Sequence, residues 1–162
     1  FIQNSFFPKK ELDENIKREL IPMTWDDVIW LSKNGHEIGA HTKNHILLST
    51  LNKNEIYDEI IDAAKIIEKK IKKNVINFAY PFGNINSINA DTHELVKTRF
   101  KFAFSNIRGN LIDSPNNHFL YRQNIEPLSP IWKIKAIVEG KINIKYKKQR
   151  KYANSFLNKN FS

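Results

Sequence analysis

The sequence predicts an α/β domain built on a parallel sheet or barrel, and three observations carry that reading. Short apolar segments alternate at least three times with segments of helical period. Gly, Pro and Asn punctuate the joints between them. The 162 residues are 41% hydrophobic and 27% charged, enough for one domain with a sizeable core.

In chain order, Phe1 to Phe7 reads as a short strand that runs into a loop at Pro8. Thr24-Trp25-Asp26-Asp27 has capping-box spacing, because the Thr hydroxyl can accept from the amide three residues on. A helix should follow through Val28, Ile29 and Leu31, with Trp25 and Trp30 on its hydrophobic side, and stop at Gly35. His36 to Ala40 alternates enough to be a strand. Asn52 can cap a long helix in which Ile56, Ile60, Ala63, Ile67 and Ile71 recur at helical spacing. Lys69, Lys70, Lys72 and Lys73 complement the negative end of its dipole. Val75 to Tyr80 is a mostly apolar strand ended by Pro81 and Gly83. A helix over roughly 90–99, a strand at Phe102–Phe104, a polar loop from Asn106 to Asn117 and a strand near Leu120–Ile125 come next. Ser129-Pro130 opens a last helix with Pro at its first position and Gly140 past its end.

Charge looks like a nucleic-acid feature until it is located. The net charge is +9, but residues 141–162 hold seven Lys/Arg and no acid. The other 140 residues carry 19 basic and 17 acidic side chains, a net of +2. The chain therefore divides into a near-neutral domain over 1–140 and a basic C-terminal tail over 141–162, read as a solvated end. A nucleic-acid partner does not follow from this pattern. The absence of cysteine excludes a disulfide scaffold, a Cys-ligated zinc site and a thiol nucleophile. No run approaches the roughly 18 apolar residues of a membrane span.

Active sites of parallel α/β folds gather at the C-terminal ends of strands, and two loops fall there. In Gly35-His36-Glu37-Ile38-Gly39-Ala40-His41-Thr42-Lys43-Asn44-His45, a helical turn after His41 would stack His41 and His45. Both imidazoles then reach one cation, zinc at about 2.0–2.1 Å from each nitrogen. Two surface histidines are the plainer alternative, and His36, at the start of the strand, reads as structural. The second loop, Phe78-Ala79-Tyr80-Pro81-Phe82-Gly83, ends a buried strand.

Together these two segments, separated by one long amphipathic helix, resemble the polysaccharide deacetylase family (the NodB-homology domain, carbohydrate esterase family 4). The Thr24-Trp25 helix start fits the same pattern, and the resemblance covers roughly residues 1–140. It implies a distorted (β/α) barrel that hydrolyses N-acetyl groups on an N-acetylglucosamine-type polysaccharide with a divalent metal, zinc first. His41-Thr42-x-x-His45 matches the family's metal-binding histidine motif. Phe82 takes the place of a Tyr and Ala79 that of an Arg in the third motif, as in a branch that lacks the Arg. The Phe82 backbone N–H can still serve as an oxyanion donor. Tyr80, Pro81 and Tyr121 are the expected substrate contacts, with a core position the favoured alternative for Tyr121 and for Trp132.

Three departures accompany the resemblance. The family's Thr-Phe-Asp-Asp-Gly motif, which supplies a base and a third metal ligand, is absent; Asp26-Asp27 belongs to a helix cap. The Asp-containing fourth motif has no clear match. The fifth motif, Leu-x-His, is Leu120-Tyr121-Arg122 here; Arg122 can orient a substrate but cannot donate a proton at neutral pH. His118 is the nearby alternative acid. Phe1 falls inside a phrase that follows the first motif in the family, so the expectation is a domain without its first strand, weak metal binding and little activity. A polysaccharide partner and a location outside the cytoplasm or at the cell envelope are implied by resemblance. A catalytically silent carbohydrate-binding domain and a basic anion-binding module are the rival classes.

Overall fold

The computed structural model describes residues 23–125 and 128–160. The strand expected over Phe1–Phe7 lies outside the described residues.

Helix α1 (Trp25–Lys33) starts as its cap predicts. The Thr24 hydroxyl accepts from the Asp27 N–H at 3.2 Å, and the Asp27 carboxylate accepts from Thr24 N at 2.8 Å. The Thr24 hydroxyl also donates to that carboxylate, which holds the Asp27 pKa below the usual range. The Asp26-Asp27 pair is therefore helix chemistry. Gly35 at φ +88° ends the helix, and the His36 N–H closes the turn on Leu31 O. Trp25 and Trp30, expected on a buried side, are exposed at 41% and 61%; the small Ser32 is the buried contact instead.

The long helix begins at Asn52, whose side chain accepts from the amides of Asn54 and Glu55. It runs as α2 (Lys53–Tyr57), a π-helical turn (Asp58–Asp62) and α3 (Ala63–Ile71). The interruption is invisible to a 3.6-residue period. Lys72, in the left-handed region, ends α3, and Lys73 Nζ donates to Ser32 O, tying α3 to α1.

Strand β1 (Asn77–Ala79) pairs in parallel with β2 (Phe102–Arg108), which pairs in parallel with β3 (Leu120–Arg122). The sheet order is β1-β2-β3, with α4 (Ala90–Arg99) crossing from β1 to β2. Strand β2 runs to Arg108, four residues past the expected Phe104, because Ala103, Ser105 and Ile107 alternate inward. The stretch His36–Ala40 is not a full strand. Ala40 alone bridges Phe78, while Gly39 lets the backbone approach: a Cβ there would stand 3.2 Å from Asn77 O. Among the described residues the strands form this small sheet with helices packed on it, so the α/β class stands on a smaller parallel sheet than a barrel has.

The core joins Leu48, Ile56, Ile60 and Ala64 to Val75, Phe78, Val96, Ala103 and Phe119. Helix α5 (Ile131–Val138) buries Ile137 and leaves Ile131 and Trp132 exposed, so the core position favoured for Trp132 is not taken up. The stretch read as a solvated tail forms α6 (Lys147–Asn160), which places Ala153 and Leu157 in the same core. Arg150 Nη1 donates to Arg108 O at 3.0 Å, and the Tyr121 hydroxyl donates to Asn154 Oδ1. The lysines of this helix point outward, and the composition of that face hid the two inward positions.

Two predictions follow from this packing. Leu157→Ala should lower unfolding free energy by about 2–5 kcal/mol, whereas exposed Lys148→Ala should change it by less than about 0.5 kcal/mol; equal urea midpoints would contradict a packed α6. The second concerns His93, buried at 2% exposure in α4. Burial pushes its pKa down to about 4 from 6.5; Lys97 and His118 add to the depression and Glu94 opposes it. The unfolded chain takes the proton first. Stability from the neutral ring is thus complete above pH 6.5 and is lost as pH falls toward 4, at up to about 1.4 kcal/mol per unit. His93→Gln should flatten that part of the urea-midpoint profile.

Candidate active site

Strand β1 brings the two loops together. The Ala79 N–H donates to Ala40 O and the Ala40 N–H to Asn77 O, each at 2.9 Å, so the residue before His41 is pinned to the strand before Phe82. His41 Nδ1 lies 2.8 Å from Ala79 O. A carbonyl only accepts, so Nδ1 carries the proton and Nε2 is left with a free lone pair. Burial lowers the His41 pKa; the bond to Ala79 opposes this, and the His45 and Arg122 charges deepen it. The ring is therefore neutral at pH 7, the form that binds a metal.

The pair does not form by the helical turn that the spacing allows. Thr42 and His45 both sit in the left-handed region, at φ 63° and 55°, and the segment is an irregular loop. The Thr42 hydroxyl accepts from the His45 N–H at 3.1 Å. The outcome is still two imidazoles face to edge, with ring centroids 4.8 Å apart, and His45 lies 4.9 Å from the Phe82 ring.

Phe82 stands at the centre of a three-residue turn. Its φ is 60°, and the Gly83 N–H donates to Pro81 O at 2.6 Å. Positive-φ turns of this size are rare and strained. Gly83 makes the turn possible, since a Cβ at its φ of 59° would stand 2.5 Å from Asn106 N. Asn106 N donates back to Gly83 O at 2.7 Å, clamping the turn on β2. Phe82 is half exposed, and no described residue accepts its N–H.

The structure sorts the remaining expected residues. Arg122 is exposed at the end of β3, and its charge adds a small part to the lowering of the His41 pKa. Tyr80, Pro81 and Tyr121, expected as substrate contacts, are buried to 2% exposure or less, and a substrate cannot reach their side chains. The Tyr80 hydroxyl donates to His118 O at 2.9 Å and lies 3.3 Å from His93 Nδ1 of α4. His118 turns its ring toward the segment that precedes β2. Its Nε2 is 3.0 Å from the carbonyl of Phe100, ahead of β2. Phe104 is the residue of β2 that pairs with Ala79, four residues further on, or roughly 13 Å along a strand. A groove of about 420 Å³ between α2 and α4, lined by Lys53, Tyr57, Asp91 and Leu95, lies on the helical side.

Sequence reasoning missed Glu59. Its side chain is 6% exposed and faces the histidine loop. Oε2 accepts from the amides of Lys43 and Asn44 at 3.1 and 2.8 Å, and Oε1 from Asn44 Nδ2 at 2.5 Å. The signal was present: a carboxylate on the apolar stripe beside Ile56, Ile60 and Ala63. Among the described residues no group of three His, Cys, Asp or Glu side chains is placed to hold a metal ion.

Fold and site define an α/β protein with paired imidazoles at the C-terminal end of a parallel sheet. Residues 4–99, more than half of the chain, match the family model for polysaccharide deacetylase, and the chain belongs to that family. A peptidoglycan-N-acetylglucosamine deacetylase of Bacillus cereus is 41% identical over 54 residues, a match that covers 33% of this chain and 25% of that enzyme. The Streptococcus pyogenes deacetylase PplD, solved with acetate, superposes with a TM-score of 0.64 at 21% identity, over 75% of this chain and 54% of its own. A polysaccharide deacetylase from Bacillus cereus superposes at 0.62 with 18% identity, over 72% and 36%. The chain thus spans a quarter to about half the length of these relatives, and the two structures share its fold.

Because the Phe82 turn depends on Gly83, Gly83→Ala should cost about 2–3 kcal/mol and separate the Phe82 ring from His45. Urea unfolding and the ring-current shifts of the His45 protons check this; an unchanged midpoint would show that the turn relaxes freely.

Proposed function

We propose that this domain removes N-acetyl groups from an N-acetylglucosamine-type polysaccharide of the bacterial cell envelope by hydrolysing the acetamide C–N bond. The single observation that carries this is the His41–His45–Phe82 cluster, in which no described residue engages Nε2 of His41 or the Phe82 N–H. Kinship to the peptidoglycan deacetylase supports the substrate class and the envelope setting.

The donor set fits a divalent metal in part. Two imidazoles supply two of the three protein ligands of a catalytic zinc site, and a backbone carbonyl behind His41 is the usual outer partner of a metal-binding histidine. When bound, such an ion lowers the pKa of water and polarises a carbonyl oxygen. His41 and His45 would hold it. The Phe82 N–H, fixed by the strained turn, donates to the developing oxyanion, an interaction of about 3–4 kcal/mol in comparable sites. Arg122 orients the polymer. Among the described residues no third His, Cys, Asp or Glu side chain joins the two histidines, so a complete metal site needs a further ligand.

The test is zinc affinity by chelator competition and acetate release from N-acetylglucosamine oligomers. Zinc should bind weakly, and His41→Ala or His45→Ala should weaken it at least tenfold further. Unchanged affinity in both variants would overturn the ligand assignment. The incomplete donor set also supports a second reading, a carbohydrate-binding domain without catalysis, for which oligomer binding would be indifferent to chelators.

A further inference from the structure

The geometry points to Glu59 as a positioning residue that sets the spacing of His41 and His45 by gripping the loop between them. This rests on the proposed metal-binding role of that pair and extends it to a residue outside the histidine motif. Lys43 and Asn44 are the two residues that separate Thr42 from His45, and all three donors that reach Glu59 come from them. Successive amides converging on one carboxylate oxygen, next to a left-handed residue, form an anion-holding concavity of backbone N–H groups.

Within 41–45 no backbone N–H bonds to a described backbone carbonyl. Loop shape therefore depends on side-chain acceptors: Thr42 for His45 N, Glu59 for Lys43 N and Asn44 N. The carboxylate is suited to this because it only accepts, and buried acceptors of this kind are costly unless satisfied. Its place in the helix matters too. Glu59 is the second residue of the π-helical turn, where the helix carries an extra residue, and such turns recur at functional sites. Both oxygens already take hydrogen bonds from the loop, so Glu59 acts through the histidines rather than as the third ligand.

The test compares wild type, Glu59→Gln, Glu59→Asp and Asn44→Ala in the full chain. Amide hydrogen exchange at Lys43 and Asn44 should speed at least tenfold in Glu59→Gln, and zinc affinity should fall about 10–100-fold, with Glu59→Asp recovering part of both. Asn44 is exposed, so Asn44→Ala keeps the fold and should show the same direction more weakly, without an added effect on top of Glu59→Gln. Unchanged exchange at these amides in Glu59→Gln and in Asn44→Ala would overturn the proposal. Altered exchange that leaves zinc affinity intact, while His41→Ala still lowers it, would also overturn it, since the loop would then not set the pair. If His41→Ala leaves zinc affinity unchanged, the metal reading fails by itself, and the grip is judged by exchange and by the His41–His45 ring-current shifts.

Discussion

Everything at the site hangs on the backbone of Ala79. Its N–H is bonded to Ala40 O, its carbonyl to His41 Nδ1, and its neighbours run straight into the Phe82 turn. One residue of one strand thus fixes the position of the histidine loop, the tautomer of the first histidine and the launch point of the second loop. The strand can do this because Phe78 and Tyr80 on its inner side are held by aromatic packing, with Phe78 against Phe100 and Tyr80 against Phe119. Rigidity made in the core is spent at the loops.

Those loops hold conformations that ordinary sequences avoid. Thr42, His45 and Phe82 are non-glycine residues at positive φ, and apart from Lys72 at a helix end they are the only such residues among those described. Each costs of order 1–3 kcal/mol, so the surrounding structure must over-determine them. It does so with different tools: a hydroxyl and a carboxylate around the histidines, a clamped glycine beneath Phe82. The result is a preorganised row of rings where a helix would have left two histidines merely one turn apart.

Charge plays a smaller part than composition implies. The basic C-terminal segment packs through Ala153 and Leu157, and its lysines decorate the outer face. Near the site, Arg122 and the burial of His41 act together to keep the imidazole neutral. The neutral ring keeps its Nε2 lone pair available as a base or hydrogen-bond acceptor.

Much of this was legible in the residues. Capping at Thr24 and Asn52, the stop at Gly35, the helix from Ala90 to Arg99 and the parallel α/β class all follow from local hydrogen bonding and hydrophobic period, which neighbouring residues decide among themselves. The histidine motif and the Phe78–Gly83 loop stand out by their expected place at strand ends and, taken together, by their family resemblance. What surrounds them does not. The burial of Tyr80, the turn of His118 toward the Phe100 carbonyl, the exposure of Trp132 and the packing of α6 depend on which faces meet across the sheet, whereas the core place of Tyr121 is the favoured expectation. The left-handed histidine loop and its hold by Glu59 needed the tertiary fold as well, because amides at 43 and 44 find their acceptor 15 and 16 residues away. Local period states that a residue faces inward; only the assembled chain determines what it meets there.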